Sequence, residues 1–266
     1  MKLTMLGTGN ALVTECYNTC FTLRDGDDVF LVDGGGGSEI LHRLKLSGTD
    51  LASVHTVFLT HRHIDHILGV LWVIRVICQR MKKGTYEGDL TVYAHDEGVD
   101  LLRRLSDMLL DGSQAREIGR RVHLIAVSDG ETKSILGRPV TFFDIHSDKA
   151  KQFGFTMRTE EGKFTCLGDE PYNEANRSYA EGSAWLLHEA FCLRSQADIF
   201  SPYEKHHSTA ADAAGTAEKL HVGTLLLYHT EDKNLSRRKE LYTKEAKLYF
   251  GGRVFVPDDM ETFNIR

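Results

Sequence analysis

The segment VFLTHRHIDHILGV, residues 57 to 70, places His61, His63, Asp65 and His66 within six positions of a 266-residue chain that holds 13 histidines in all. Imidazole and carboxylate are ligands for zinc, and also for manganese or iron. On an extended backbone side chains alternate with period two, so His61 and His63 face the same way and can share one ion. Asp65 and His66 fall where the loop turns into a helical pattern, and can address a second ion beside the first. A lone His-x-His would say little. Four ligand-type residues between an apolar strand and a helix form a strong metal signal.

A two-ion centre needs further ligands, and the ends of apolar runs are where strands deliver side chains to one sheet edge. His146 ends VTFFDIH, Asp169 ends FTCLGD and His229 ends LLLYH. His188 in WLLHEAF and His207 in KHHSTAA compete for the same roles. His42, His55, His95, His123 and His221 have no comparable setting and read as ordinary surface or core histidines. The run VDGGGGSE matches neither GxGxxG nor GxxxxGK, which argues against a nucleotide loop. Its glycines suit a backbone passing close to the metal site, with Asp33 as a partner that fixes a histidine tautomer.

The elements that must position these residues follow from patterning. KLTMLG reads as a strand, and residues 18 to 37 as a hairpin around Asp25-Gly26. SEILHRLKLSG reads as a helix with Ser38 available as its cap. VHTVFLTH is a buried strand, and the 20 residues from Asp65 to Gly84 carry apolar residues at helical spacing before a basic, glycine-terminated end. LTVYAH is a strand and DEGVDLLRRLSDMLLDG an amphipathic helix. Further strands are expected at VHLIAVSD, RPVTFFDIH, FGFTMRTEEG, KFTCLGD, AWLLHEAF and VGTLLLYHT, with helices at STAADAAGTAEKL and RRKELYTKEAKLYF. This alternation predicts an α/β protein with mixed sheet covered by helices, in one domain over residues 1–266.

Bulk properties narrow the partners. A net charge of −6 argues against gripping nucleic acid by overall positive charge. Five cysteines without a CxxC pair predict reduced thiols and a cytoplasmic protein. The amino-terminus shows no signal-peptide pattern. The apolar run ILGVLWVI falls well short of the ~20 residues a bilayer span requires.

HxHxDH, followed by isolated His, Asp and His at strand ends, resembles the metallo-β-lactamase superfamily. More narrowly the chain is similar to the ribonuclease Z branch, through LGTG at 6–9, VDGGGG at 32–37, THRHIDHILG at 60–69, GD at 168–169, HEA at 188–190, HST at 207–209 and LLLYH at 225–229. The resemblance implies an αββα four-layer sandwich with a two-metal site at one edge. It implies that His61, His63 and His146 hold the first metal, that Asp65, His66 and His229 hold the second, and that Asp169 bridges them. It implies that His207 sits near the scissile phosphate with Glu189 as its orienting partner. His207 is preferred over His206 because it directly precedes a helix start, where anions are favoured and Thr209 with Asp212 has capping-box spacing. Homodimers are common in such folds, and the resemblance carries that expectation to this chain.

The expected activity is hydrolysis of a small or flexible phosphodiester by a hydroxide bridging two divalent ions, zinc first, with manganese or iron as alternatives. Asp65 has a second duty, orienting the nucleophile. The chain departs from the ribonuclease Z pattern at three places. Only 22 residues separate His146 from Asp169, reading as one plain hairpin where ribonuclease Z carries a long tRNA-gripping arm. Glu170 stands where threonine is usual. HTED lacks the usual serine and arginine nearby. Nucleic acid is therefore the less favoured substrate. The alternatives are a tRNA 3′-processing endonuclease gripped by a partner, a lactone, thioester, β-lactam or sulfate-ester hydrolase, and a non-catalytic metal-bearing sensor.

Overall fold

The computed structural model describes residues 1–265. Two seven-stranded sheets face one another. The first is built from β1 (Lys2–Gly7), β2 (Cys20–Asp25), β3 (Asp28–Val32), β4 (Val54–Phe58), β5 (Leu90–Ala94) and β6 (Val122–Ala126) in sequence order. The second is built from β7 (Thr132–Ile135), β8 (Arg138–Asp144), β9 (Phe153–Thr159), β10 (Gly162–Cys166), β11 (Trp185–Glu189), β12 (Thr224–Tyr228) and β13 (Arg253–Phe255). The chain then crosses back, and β14 (Thr262–Asn264) pairs antiparallel with β1 at the edge of the first sheet. Both sheets are mixed. Hairpins form the antiparallel halves, whereas β3 to β6 and β10 to β13 pair in parallel.

Period-two burial on both faces explains why the strands read as nearly continuous apolar runs. In β3, Phe30 and Val32 enter the core between the sheets, while Val29 and Leu31 face the helices. The inter-sheet core is aromatic: Phe155 of β9 meets Phe30 and Phe58 edge-on, at ring-centroid distances of 5.6 and 5.9 Å. Helices α1 (Glu39–Leu46), α2 (Ile64–Lys83) and α3 (Asp96–Leu109) cover the first sheet. The helices Ala210–Lys219 and Arg238–Ala246 cover the second. Helix, sheet, sheet, helix is the expected αββα sandwich.

Helix α2 buries Ile67, Val70, Leu71, Ile74, Ile77, Cys78 and Met81 at three- and four-residue spacing, the stripe that holds it on the sheet. It ends at Gly84 with φ 70°, a left-handed cap that glycine adopts without a Cβ clash. Two details differ from the sequence reading. Ser38 stands at the start of α1 but makes no side-chain cap bond, because its own backbone is already helical. Strands β7, β13 and β14 are short and partly polar, so their pairing partners rather than their composition define them.

Candidate metal centre and substrate pocket

Parallel strands end on the same side, so the carboxyl ends of β3, β4, β10, β11 and β12 converge on one edge of the sandwich. Strand β4 leads through Thr60 to His61 and His63, the latter being the N-cap of α2. Asp65 and His66 occupy its first turn and are buried. Asp169 follows β10, Glu189 ends β11 and His229 follows β12. A close crossing makes this possible: a Cβ on Gly69 would meet the Gly34 oxygen at 1.7 Å, so α2 lies directly on the glycine loop after β3. Backbone bonds from Gly34 N–H to the His66 oxygen and from Gly69 N–H to the Gly35 oxygen, 3.0 and 2.9 Å, fix that crossing.

Among the described residues three groups of donors meet the distance requirement for an ion; Glu189, His207 and His229 form one beside the centre, and two make up the centre itself. His61, His63 and Asp169 form one, and Asp65, His66 and His229 form the other, each with its ligand atoms within 4.8 Å of one another. Asp169 Oδ2 stands between them, 3.6 Å from His61 Nε2, 3.5 Å from His66 Nε2 and 3.3 Å from His229 Nε2. Asp65 Oδ2 lies 3.4 and 3.7 Å from the Nε2 atoms of His66 and His229. The donor set fits divalent metal on a structural criterion. His66 Nε2 and both ring nitrogens of His229 are buried without a hydrogen-bond partner. Buried polar atoms left unpaired are costly, and a cation is what imidazole nitrogens and carboxylate oxygens share.

Neighbours set the ring orientations. Asp33 Oδ2 lies 2.7 Å from His66 Nδ1, while Oδ1 accepts the Thr60 backbone N–H at 2.8 Å. The Thr60 hydroxyl donates its only proton to Asp33 Oδ2 at 2.8 Å. Its lone pairs then face His61 Nδ1 at 3.0 Å, placing that ring's proton on Nδ1. One carboxylate thus directs the ligand nitrogens of two histidines toward the centre, the role expected of Asp33. Gln152, which no sequence signal had marked, donates from Nε2 to Asp169 Oδ1 and accepts the Asp169 backbone N–H at 2.9 Å.

Charge is shared unevenly. Burial opposes ionisation of Asp65 and Asp169, but the surrounding histidines hold both carboxyls well below the usual range. Burial pushes His61 and His63 down. For His66 the same burial is outweighed by Asp65 and Asp33, which raise it.

His146 does not join these groups. It is exposed, has a left-handed backbone with φ 60°, and its N–H bonds the Asp144 carboxylate at 2.7 Å. It lines a separate cleft with Glu170 and His206. Of the implied His61, His63, His146 set, this structure brings His61 and His63 together with Asp169 and leaves His146 apart. His188 is buried on β11, with Nδ1 2.7 Å from the Glu189 backbone oxygen, outside the centre.

His207 and His206 separate. His206 is exposed, whereas His207 is buried, stacked on Phe191 at 4.6 Å and 11°, and 5.2 Å from the His229 ring. Thr209 and Asp212 form the capping box that starts the helix just beyond it. Burial lowers His207 to about 4 and raises Glu189 to about 7. Glu189 accepts backbone N–H groups of Ser208 and Phe191 and lies 3.6 Å from His207 Nδ1. A pocket of about 360 Å³ opens over the centre, with Asn10, Leu12, Ile64, Lys149, Lys205 and Phe191 on its walls.

Known proteins share this frame. A ribonuclease Z of Natronomonas pharaonis is 27% identical, the match covering all of this chain and 98% of that one. Among solved structures, the metallo-β-lactamase fold protein YhfI of Bacillus subtilis has a TM-score of 0.79 at 20% identity, over 98% of both chains. Human tRNase Z, short form, has a TM-score of 0.74 at 20% identity over the whole of both chains. The sequence model of a family described as anti-Pycsar protein Apyc1 matches residues 1–249.

Proposed function

Since the chain belongs to the family described as anti-Pycsar protein Apyc1, and to the metallo-β-lactamase superfamily as a ribonuclease Z-like protein, we propose that it is a metal-dependent phosphodiesterase acting on small or flexible phosphodiesters. The observation that carries the choice of substrate is the segment between β8 and β10. It is one loop and the β9–β10 hairpin, with no inserted arm to reach along a tRNA body. The pocket beside it suits a small ligand.

His61, His63 and Asp169 would hold one divalent ion, and Asp65, His66 and His229 the other, with Asp169 shared. An imidazole and carboxylate set without cysteine favours zinc and admits manganese or iron. Such ions supply Lewis-acid chemistry, acidifying water and neutralising charge that builds on a phosphodiester. The chain's own residues supply the rest. Asp65 keeps an ionised oxygen at the centre, able to orient the attacking water. His207 stays neutral at physiological pH and presents Nε2 to the pocket, where it holds a proton for the departing oxygen. Glu189, buried and raised toward neutrality, can restore that proton at Nδ1. A homodimer and a cytoplasmic location complete the reading. Among the described residues no helix is long and apolar enough to cross a membrane.

The test is a substrate panel on metal-loaded protein: bis(4-nitrophenyl) phosphate, a lactone, nitrocefin and a precursor tRNA. Turnover of the diester, abolished by a chelator, is expected. Cleavage of precursor tRNA without diester turnover would replace the reading with the endonuclease.

A further inference from the structure

The loop between β8 and β9 brings a lysine to the pocket that neither the ligand set nor the His207–Glu189 pair uses. Lys149 Nζ lies 3.0 Å from Glu170 Oε1 and donates to the Lys205 backbone oxygen at 3.0 Å. Glu170 is buried, and its Oε1 also accepts the Ser147 hydroxyl at 3.0 Å. A buried carboxylate is stable only when paired, so Glu170 ties the loop to the Gly168–Asp169–Glu170 turn at the centre. An ammonium has three donors and no acceptor. Two of them are spent on Glu170 and Lys205. The remaining direction has only the His207 Nε2 nearby, at 3.4 Å, on the pocket wall shared with His63, Asp169 and His229.

Two other lysines near the pocket have partners of their own. Lys205 donates its ammonium to the Phe200 oxygen at 2.8 Å and lies over the Phe191 ring. Lys151, two residues along the same loop, pairs with Asp96 at 2.6 Å. Among the described residues, Lys149 is the lysine whose ammonium is both held by a buried carboxylate and within 3.4 Å of the proposed proton carrier.

We infer that Lys149, positioned by Glu170, is a substrate-binding residue that donates to a non-bridging oxygen of the phosphodiester and so selects anionic esters over neutral ones. The inference rests on the phosphodiesterase reading. It gives Glu170, where threonine is usual in the ribonuclease Z pattern, a positioning role.

The experiment compares wild type, Lys149→Met, Lys149→Arg, Glu170→Gln and Lys151→Met, all metal-loaded and checked for metal content. Calorimetry with inorganic phosphate gives a dissociation constant, and bis(4-nitrophenyl) phosphate gives KM and kcat. Lys149→Met is expected to weaken phosphate binding and raise KM by about 10- to 100-fold, the range for losing a charge-assisted hydrogen bond. Metal content should not change. Lys149→Arg should recover part of the loss, Glu170→Gln should fall between, and Lys151→Met should match wild type. Lys149→Met within about twofold of wild type in phosphate affinity and KM would overturn the inference. Absence of diester turnover by wild type would refute the phosphodiesterase reading instead, and the phosphate titration would still decide the role of Lys149. Should Lys149→Met fail to fold, a loss of phosphate binding in Glu170→Gln decides in its place, and unchanged binding there refutes the positioning.

Discussion

Asp33 offers the sharpest test of how the centre is held. Asp33→Asn is nearly isosteric, so packing is preserved while one acceptor becomes a donor. Both carboxylate oxygens are in use: Oδ1 takes the Thr60 N–H, and Oδ2 faces the Thr60 hydroxyl and His66 Nδ1, all within 2.8 Å. An amide nitrogen in the Oδ2 position confronts His66 Nδ1–H and forces that ring's proton onto Nε2, the atom that faces Asp65 and Asp169. It also reverses the Thr60 hydroxyl, which then competes with His61 Nδ1–H. The opposite amide orientation sets two N–H groups against each other at Thr60 and leaves a buried donor unpaired, at about 1–3 kcal/mol. Partners of metal-ligating histidines typically control about 10- to 100-fold in affinity, or about 1.4 to 2.7 kcal/mol. Competition for zinc against a chromophoric chelator, with wild type and Asp33→Asn in parallel, measures this directly. Thermal melts of the metal-free proteins separate ring orientation from general destabilisation. Equal zinc affinity in the two proteins would refute the tautomer argument.

The remaining predictions address the candidate ligands and the proposed proton carrier. Asp169→Asn, which removes the oxygen shared by both donor groups, should abolish diester turnover and lower metal content while the far-ultraviolet dichroism stays native. His146→Ala should retain full metal content by elemental analysis, since the exposed ring lies outside both groups; metal loss would return it to the ligand set. His207→Ala should keep its metal and lose about 10²- to 10⁴-fold in kcat, the usual contribution of a positioned acid; full activity on diesters would remove the role assigned to it. For pH, burial holds His207 at about 4, below its ordinary 6.5, so between those values the unfolded chain binds the proton and the folded chain does not. Its stabilising contribution is therefore present above pH 6.5 and is lost as pH falls toward 4, by roughly 2 kcal/mol between pH 7 and 4.5. Urea melts of metal-free wild type and His207→Phe should show that difference in slope.

What sequence could show here was local or periodic. His61, His63, Asp65 and His66 are legible because a strand–helix junction places neighbouring residues in neighbouring space, whatever the rest of the chain does. The stripe on α2, the Gly84 cap and the Thr209–Asp212 box follow from spacing alone. Asp169 and His229 could be nominated because a run of apolar residues ending in a polar one is a strand delivering it to a sheet edge. The same rule nominated His146, which in this structure stays apart from both groups although its left-handed φ of 60° matches the 57° of His229; the path of the loop after β8, which no composition signal reports, makes the difference. Gln152 and the Lys149–Glu170 pair were invisible for a related reason. Glutamine and lysine in a polar loop look like solvated surface, and their partners lie 17, 21 and 58 residues away along the chain. Asp33 shows both sides. Its glycine-rich setting hinted at a place beside the metals, but its bonds to Thr60 and His66 exist only because α2 crosses the glycine loop without a Cβ between them. The amino-acid sequence by itself determined the ligand chemistry and the layered fold, because both arise from residue type and short-range period. Which donors share an ion, which ring nitrogen is free and which cation faces the pocket were decided by strand register and loop path, because a hydrogen bond or a shared ligand depends on ångström-scale distances that only the packed chain sets.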